Sequence, residues 1–135
     1  MANRANQVSR KGVRLEMKEH DLQKQIFYKY GSLAWLRLWR NNTGKSVGLS
    51  LVMKAKREGI MPAFLPVTSY GTPGMPDILG IMAPTGRFIA IETKSSTGKQ
   101  TQEQRLWDRM IISLGGIYIL ARSIEDVDNV LLRGK

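Results

Sequence analysis

Asp77, Glu92 and Lys94 are the residues of this sequence whose types and spacing could carry out chemistry together. Two carboxylates held close to each other repel unless a cation neutralises them. Mg²⁺ suits such a pair because it takes oxygen ligands, keeps several waters, and binds through one or two carboxylates plus a substrate phosphate. A bound Mg²⁺ lowers the pKa of water and stabilises the charge of a phosphodiester transition state. Lys94 would then orient the attacking water or hold a phosphate oxygen.

A hairpin would bring these residues together. Two strand-like segments, residues 77–83 and 87–93, flank a Pro-Thr-Gly turn. With the turn centred between its proline and threonine, Asp77 lies directly opposite Glu92, and opposed residues share a face of an antiparallel pair. Alternation along the strand adds Lys94 to that face. Three isoleucines then project to the other face, which would be core: Ile78, Ile89 and Ile91. A three-residue loop would shift this register by one position.

The alternative to a site is a surface salt-bridge cluster, since exposed ion pairs are common and contribute little. Three features favour a site. Glu19 lies on the apolar stripe of its predicted helix, although a first-turn Glu also complements the helix dipole. Gln104 faces the sheet from a helix start, although it also completes a capping box. Gly71 and Gly74 allow close approach of the backbone to a ligand, although turn chemistry explains them equally.

Four helices are predicted from apolar periodicity, over residues 18–30, 46–58, 101–114 and 123–132. Strands are predicted over 117–121 and, shorter, near 64–68, whereas residues 33–40 fit a strand or a helix, with a strand favoured. The second helix would turn four residues inward: Val47, Leu51, Val52 and Ala55. The third would be capped by Thr101 and bury an apolar stripe: Leu106, Trp107, Met110, Ile111 and Leu114.

The charge of the chain is strongly positive and uneven. The 135 residues are enough for one domain, and the formal net charge is +10. Residues 1–70 include 13 basic and 4 acidic residues, whereas residues 71–135 include 8 basic and 7 acidic residues. We expect a flexible basic arm over residues 1–15, followed by a single domain over residues 16–135. The asymmetry favours a polyanion partner, most simply nucleic acid, over a merely soluble basic protein.

Several other classes of protein are disfavoured. The chain has no cysteine, which excludes disulfides and thiolate metal sites and makes a reducing, cytoplasmic location the expectation. No apolar run approaches the roughly 20 residues needed to span a bilayer, so no membrane partner is expected. Histidine-metal nucleases are disfavoured because His20 is the sole histidine. There is no glycine-rich phosphate loop of the ATPase kind.

Five short motifs follow one another along the chain: Glu19-His20-Asp21-Leu22-Gln23, Arg40-Asn41-Asn42-Thr43-Gly44, Gly74-Met75-Pro76-Asp77, Glu92-Thr93-Lys94, and Thr101-Gln102-Glu103-Gln104 with Trp107 beyond it. The third and fourth resemble the PD-(D/E)XK nuclease signature. The whole series, from about residue 17 to residue 127, resembles the virus-type replication-repair nuclease (VRR-NUC) family in its stand-alone phage form. The resemblance implies an α/β fold of αβββαβ order, like that of restriction endonucleases, with a mixed central sheet flanked by helices.

The resemblance also implies roles for the matching residues. The catalytic set would be Glu19, Asp77, Glu92, Lys94 and Gln104. The metal ligands would be Asp77, Glu92, Glu19 and the backbone carbonyl of Thr93. Gln23 and Arg40 match weaker positions of the family. The family more often has an aliphatic residue where this chain has Thr93, a departure that leaves the carbonyl ligand in place.

The expected function is a Mg²⁺- or Mn²⁺-dependent DNA endonuclease, selective for branched DNA such as four-way junctions, in phage DNA replication, repair or recombination. A symmetric junction suits a homodimer. DNA contacts are expected at Arg40, Asn41, Asn42, Lys45, Lys54, Arg57 and Lys99. The alternative is a non-catalytic basic DNA-binding accessory protein, which leaves the acidic set unexplained. An RNA-binding module is disfavoured because aromatic residues are only 7% and no strand carries a stacking motif.

Overall fold

The structure is a computed structural model, which describes residues 17–42, 44–47, 49–59 and 67–133. Its helices are α1 Glu19–Tyr30, α2 Leu49–Glu58, α3 Gln102–Ser113 and α4 Ile124–Leu131. Its strands are β1 Leu36–Arg40, β2 Gly44–Val47, β3 Val67–Tyr70, β4 Ile78–Met82, β5 Arg87–Thr93 and β6 Ile117–Ala121. Within these described residues, no helix is long and apolar enough to cross a membrane.

A four-stranded mixed sheet in the order β1-β4-β5-β6 forms the centre of the fold. The first two pairings are antiparallel and the β5–β6 pairing is parallel. Helices α1 and α4 cover one face, where the largest apolar cluster includes Leu22, Ile26, Ile91 and Val127. Helix α3 covers the other face through a smaller cluster built on Leu79, Ala90 and Ile111. With β2, α2 and β3 set aside as an insertion, the element order is the expected αβββαβ.

Residues 33–40 provide the edge strand β1, which resolves the choice between strand and helix. The short strand predicted near residues 64–68 is found at Val67–Tyr70. It pairs with β2 in a separate two-stranded sheet, because β1 already occupies the position beside β4. The second helix begins at Leu49 rather than residue 46, since Ser46 and Val47 belong to β2. Its four predicted inward side chains lie outside the described residues.

Helix α3 buries less of its apolar stripe than predicted. Ile111 is buried and Trp107 half-buried, but Leu106, Met110 and Leu114 are exposed, the last by 79%. The helix rests on the sheet along a narrow line, so a stripe chosen by periodicity is wider than the actual contact. The predicted helix start is confirmed, because Thr101 caps α3 and forms a capping box with Gln104.

Helix α4 begins one residue after Ser123 and is held at both ends. The Asp126 carboxylate accepts hydrogen bonds from the backbone N–H groups of Arg122 and Ser123. Near the other end, the Tyr30 hydroxyl donates to the Asp128 carboxylate, which also pairs with Lys29. These contacts fasten α1 to α4 across the chain, and α1 is the helix that carries two of the predicted site positions.

Candidate active site

The register of the β4–β5 hairpin is the predicted one. Ile78 pairs with Ile91 and Leu79 with Ala90, so Asp77, one residue before β4, lies opposite Glu92. Three isoleucines of this hairpin, Ile78, Ile89 and Ile91, are fully buried against α1 and α4, as predicted. Glu92 therefore lies on the other face, toward α3.

Glu92 is buried beside two donors that share one of its oxygens. Its exposed fraction is 2%. Gln104 donates from Nε2 to Glu92 Oε1 over 2.6 Å, and Lys94 Nζ lies 3.2 Å from the same oxygen. Glu92 Oε2 is buried and has no hydrogen-bond partner among the described residues. A buried carboxylate oxygen without a partner carries a large desolvation cost unless something binds it.

Burial, and after it the negative charge of Asp77, raise the pKa of Glu92 from its ordinary value to about 7. Lys94 and, to a smaller extent, the backbone of Asp77 act in the opposite direction without cancelling these effects. A raised pKa is the effect expected when two carboxylates are held close together.

Among the described residues, the donors to the Asp77 carboxylate meet at one of its two oxygens. Its Oδ2 accepts hydrogen bonds from the Thr93 backbone N–H over 2.9 Å and from the Thr93 hydroxyl over 2.7 Å. The Thr93 hydroxyl in turn accepts from Gln23 Nε2 over 2.9 Å. Asn41 fixes the preceding backbone, donating from its N–H to the Asp77 carbonyl and from Nδ2 to the Pro76 carbonyl.

Gln104 performs both of the roles that its position suggests. Its Oε1 accepts from the Thr101 N–H in the capping box, over 2.9 Å, while its Nε2 donates to Glu92. One amide group therefore starts helix α3 and joins it to the site. The two interpretations of this residue were not exclusive.

Glu19 lies differently from the prediction. The expectation of a carboxylate on the buried stripe is wrong, because Glu19 is exposed and burial on α1 begins at Leu22. The first turn of α1 extends beyond the edge of the packed sheet. The Glu19 Oε1 nevertheless accepts a hydrogen bond from the backbone N–H of Ser95, over 3.2 Å. Glu19 thus lies beside the segment that follows Lys94, and its catalytic role stays a prediction.

The donor set suits a hard divalent cation. In the described ranges, no three Asp, Glu, His or Cys side chains form a ready metal cluster. What the hairpin does offer is two adjacent carboxylates, one of which has a buried oxygen with no hydrogen-bond partner among the described residues. The Thr93 carbonyl as a further ligand stays a prediction. Mg²⁺ usually takes only one or two carboxylates and completes its shell with water and substrate phosphate, so these residues fit it.

The VRR-NUC domain family matches residues 16–125 of the chain. The chain belongs to the VRR-NUC family. This is a family of nucleases, a type of enzyme that generally uses divalent metal ions and acts on DNA. No curated protein and no solved structure shows significant similarity to the chain.

The DNA contacts predicted for this VRR-NUC domain are scattered over its surface. Arg40, Asn42, Lys54, Arg57 and Lys99 are exposed, and the side chain of Lys45 lies outside the described residues. The Arg40 guanidinium stacks 5.4 Å from the Phe27 ring centre. Asn41 is half-buried, and its amide is already bonded to the Pro76 carbonyl. The structure therefore gives Asn41 a scaffolding contact, while DNA binding by the exposed residues stays a prediction.

Two polar side chains near the site were missed from the sequence. The Thr93 hydroxyl is one of them, and its period-two spacing from the predicted core residue Ile91 is the signal that indicates a buried hydroxyl in need of a partner. Tyr118 pairs with Ala90 on the face that Glu92 shares, and its hydroxyl accepts from Gln100 Nε2 over 3.2 Å. Burial raises the pKa of Tyr118 to about 12. The phenol therefore stays neutral beside the acidic pair.

Gly74 brings the loop before Asp77 into contact with helix α3. Its φ is +79°, and a Cβ there would lie 2.5 Å from the Glu103 Cβ and 2.9 Å from the Gln104 nitrogen. Gly74→Ala is expected to lower the free energy of unfolding by about 3 kcal/mol, from backbone strain and overpacking together. It should also displace Gln104 from Glu92. Urea denaturation measures the first effect and cleavage rate the second.

Gly86→Ala is the matched control for that variant. Gly86 has a similar φ of +72°, but a Cβ there meets nothing within 4 Å. We expect this variant to lose only about 1 kcal/mol of unfolding free energy, from backbone strain alone. Equal losses of unfolding free energy in the two variants would show that the contact between Gly74 and α3 does not contribute to stability.

Proposed function

We propose that this chain is a Mg²⁺- or Mn²⁺-dependent DNA endonuclease that hydrolyses phosphodiester bonds. The observation that carries the proposal is the buried Glu92 Oε2, which has no hydrogen-bond partner among the described residues and lies beside the like charge of Asp77. Such an arrangement is unfavourable for packing alone. A divalent cation held by the two carboxylates would offset this cost.

The chain's own groups divide the remaining tasks. The ion, when bound, supplies Lewis acidity and an acidified water for attack on phosphorus. Asp77 and Glu92 would hold it, with the Thr93 carbonyl as a third ligand and Glu19 as a fourth. Gln104 orients Glu92 by donating to Oε1, so that Oε2 is the oxygen presented. Lys94, whose side chain is only 13% exposed, lies 3.2 Å from Glu92 Oε1 and would neutralise the charge that develops on the reacting phosphate.

We further propose that the substrate is branched DNA such as a four-way junction, cut during phage DNA replication, repair or recombination. The net charge of +10, concentrated in residues 1–70, supports a large phosphate-rich partner. A homodimer would present two sites to a two-fold symmetric junction. The cytoplasm of a host cell is the proposed location.

The competing proposal is a non-catalytic DNA-binding accessory protein. The same basic residues 1–70 favour it, because phosphate contacts need no carboxylates. It gives no reason for burying Glu92 against Asp77. The two proposals therefore differ in whether the acidic pair matters to function.

Cleavage of a labelled synthetic four-way junction tests the proposal. We expect wild-type protein to cut it with Mg²⁺ or Mn²⁺ and not with EDTA, and to cut a linear duplex of the same arms more slowly. Asp77→Ala should lose all cleavage that can be measured, because one of the two carboxylates of the hairpin is gone. It should still bind the junction in a gel-shift experiment.

Each alternative result has a distinct meaning. Cleavage in EDTA, or by Asp77→Ala at the wild-type rate, would overturn the metal-dependent mechanism. Binding without cleavage in every metal would favour the accessory protein. Equal cutting of junction and duplex would remove only the selectivity for branched DNA. Sedimentation of the protein with and without the junction checks the dimer.

A further inference from the structure

A line of three side chains runs from helix α1 to the Asp77 carboxylate. Gln23 Nε2 donates to the Thr93 hydroxyl over 2.9 Å, and the Thr93 hydroxyl donates to Asp77 Oδ2 over 2.7 Å. Thr93 is fully buried and Gln23 is half-buried. Neither side chain belongs to the acidic pair, and the roles proposed above use only the carbonyl of Thr93.

The direction of these bonds is fixed by chemistry. An amide NH₂ can only donate, so Gln23 occupies a lone pair of the Thr93 oxygen. The single hydroxyl proton of Thr93 is then directed to Asp77, since an ionised carboxylate can only accept. The Thr93 backbone N–H adds a second donor to the same Oδ2. With both donors on Oδ2, Oδ1 is the oxygen left to face an ion.

We infer that Gln23 and the Thr93 hydroxyl are positioning residues that hold the Asp77 carboxylate, through its Oδ2, in the orientation needed to bind a cation. The inference rests on the proposed function, because it assumes that a cation binds at this hairpin. It adds a role that the carbonyl of Thr93 cannot supply. Hydrogen bonds that orient a metal ligand commonly change metal affinity by about 10–100-fold when they are removed.

Mn²⁺ binding to the protein without DNA, measured by calorimetry, tests the inference independently of cleavage. Thr93→Val keeps the shape and the carbonyl but lacks the hydroxyl, and it should weaken Mn²⁺ binding by about 10–100-fold. Thr93→Ser keeps the hydroxyl and should bind nearly as wild type does. Gln23→Met removes the donor to the Thr93 hydroxyl. Its control is Gln25→Met, because Gln25 is an exposed residue on the same helix.

Gln23→Glu gives the sharpest comparison. A glutamate at this position accepts the Thr93 proton and turns it away from Asp77, so binding should be weaker than in Gln23→Met. Simple attraction by an added negative charge predicts the opposite order. Tighter Mn²⁺ binding by Gln23→Glu than by Gln23→Met would therefore overturn the inference.

Thermal unfolding in EDTA separates positioning from plain support of the fold. If Thr93→Val lowers the melting temperature but binds Mn²⁺ as wild type does, the side chains are structural and the inference fails while the proposed function stands. If wild-type protein binds no Mn²⁺, both fail together. Weaker binding by Thr93→Val, with Thr93→Ser and Gln25→Met close to wild type, supports the inference.

Discussion

Lys94→Met is expected to lower the rate of DNA cleavage by about 10³-fold, the size of effect seen when one preorganised charge-stabilising group is removed. Lys94 Nζ lies 3.2 Å from Glu92 Oε1 in a largely enclosed position. Methionine keeps most of the apolar stem, so the packing of the side chain survives while its charge is lost. Single-turnover cleavage of the junction with saturating Mg²⁺ isolates the chemical step.

Lys24→Met is the matched control, because Lys24 is an exposed lysine of α1 with no contact to the acidic pair. It removes the same charge and should cut at nearly the wild-type rate. Equal losses in both variants would mean that Lys94 acts only through overall charge. Full activity of Lys94→Met would remove it from the mechanism.

Glu92→Gln is expected to abolish cleavage and, at the same time, to stabilise the metal-free protein. The folded protein raises the pKa of Glu92 from 4.5 to about 7. Between those values the folded state holds a proton that the unfolded state has released, so wild-type stability falls as pH rises through this window and is level above it. Across this window the free energy of unfolding of the wild-type protein falls by about 3 kcal/mol in total. Glutamine, which is neutral at every pH, avoids it.

Urea denaturation in EDTA at pH 5 and pH 8 measures this difference. The free energy of unfolding of Glu92→Gln should exceed that of wild type only slightly at pH 5, and by the whole difference of about 3 kcal/mol at pH 8. Glu103→Gln, at an exposed glutamate of α3, should stay within about 0.5 kcal/mol of wild type. An advantage that is the same at both pH values, or a loss of stability at pH 8, would contradict the prediction. Mg²⁺ should stabilise wild type more than Glu92→Gln.

Local sequence signals determined the hairpin and the start of α3. The β4–β5 register follows from the length of one turn and from isoleucines at period two, both of which are short-range features. The Thr101–Gln104 capping box is likewise complete within four residues. These signals could be interpreted without knowing the rest of the fold, and they placed Asp77 opposite Glu92 and Gln104 beside Glu92.

The remaining differences depend on distant partners that periodicity does not encode. Nothing near residues 67–70 indicates that this strand pairs with β2 rather than with β4. The exposure of Met110 and Leu114 depends on where the sheet ends beneath α3. Glu19 has the spacing of a buried residue, yet it begins α1 beyond the packed part of the sheet. The hydrogen bond from Gln23 to Thr93 joins residues that are 70 positions apart.

Asn41 marks the point where the chain leaves the central sheet and the point where it returns. Arg40 pairs with Ile78, and Asn41 bonds to the carbonyls of Pro76 and Asp77. The segment between Asn41 and Pro76 therefore leaves the central sheet and returns to it at neighbouring positions. The entropic cost of closing such a loop rises only slowly with its length. The central sheet can thus accept a long insertion at this point while the backbone on either side of it stays joined through Asn41.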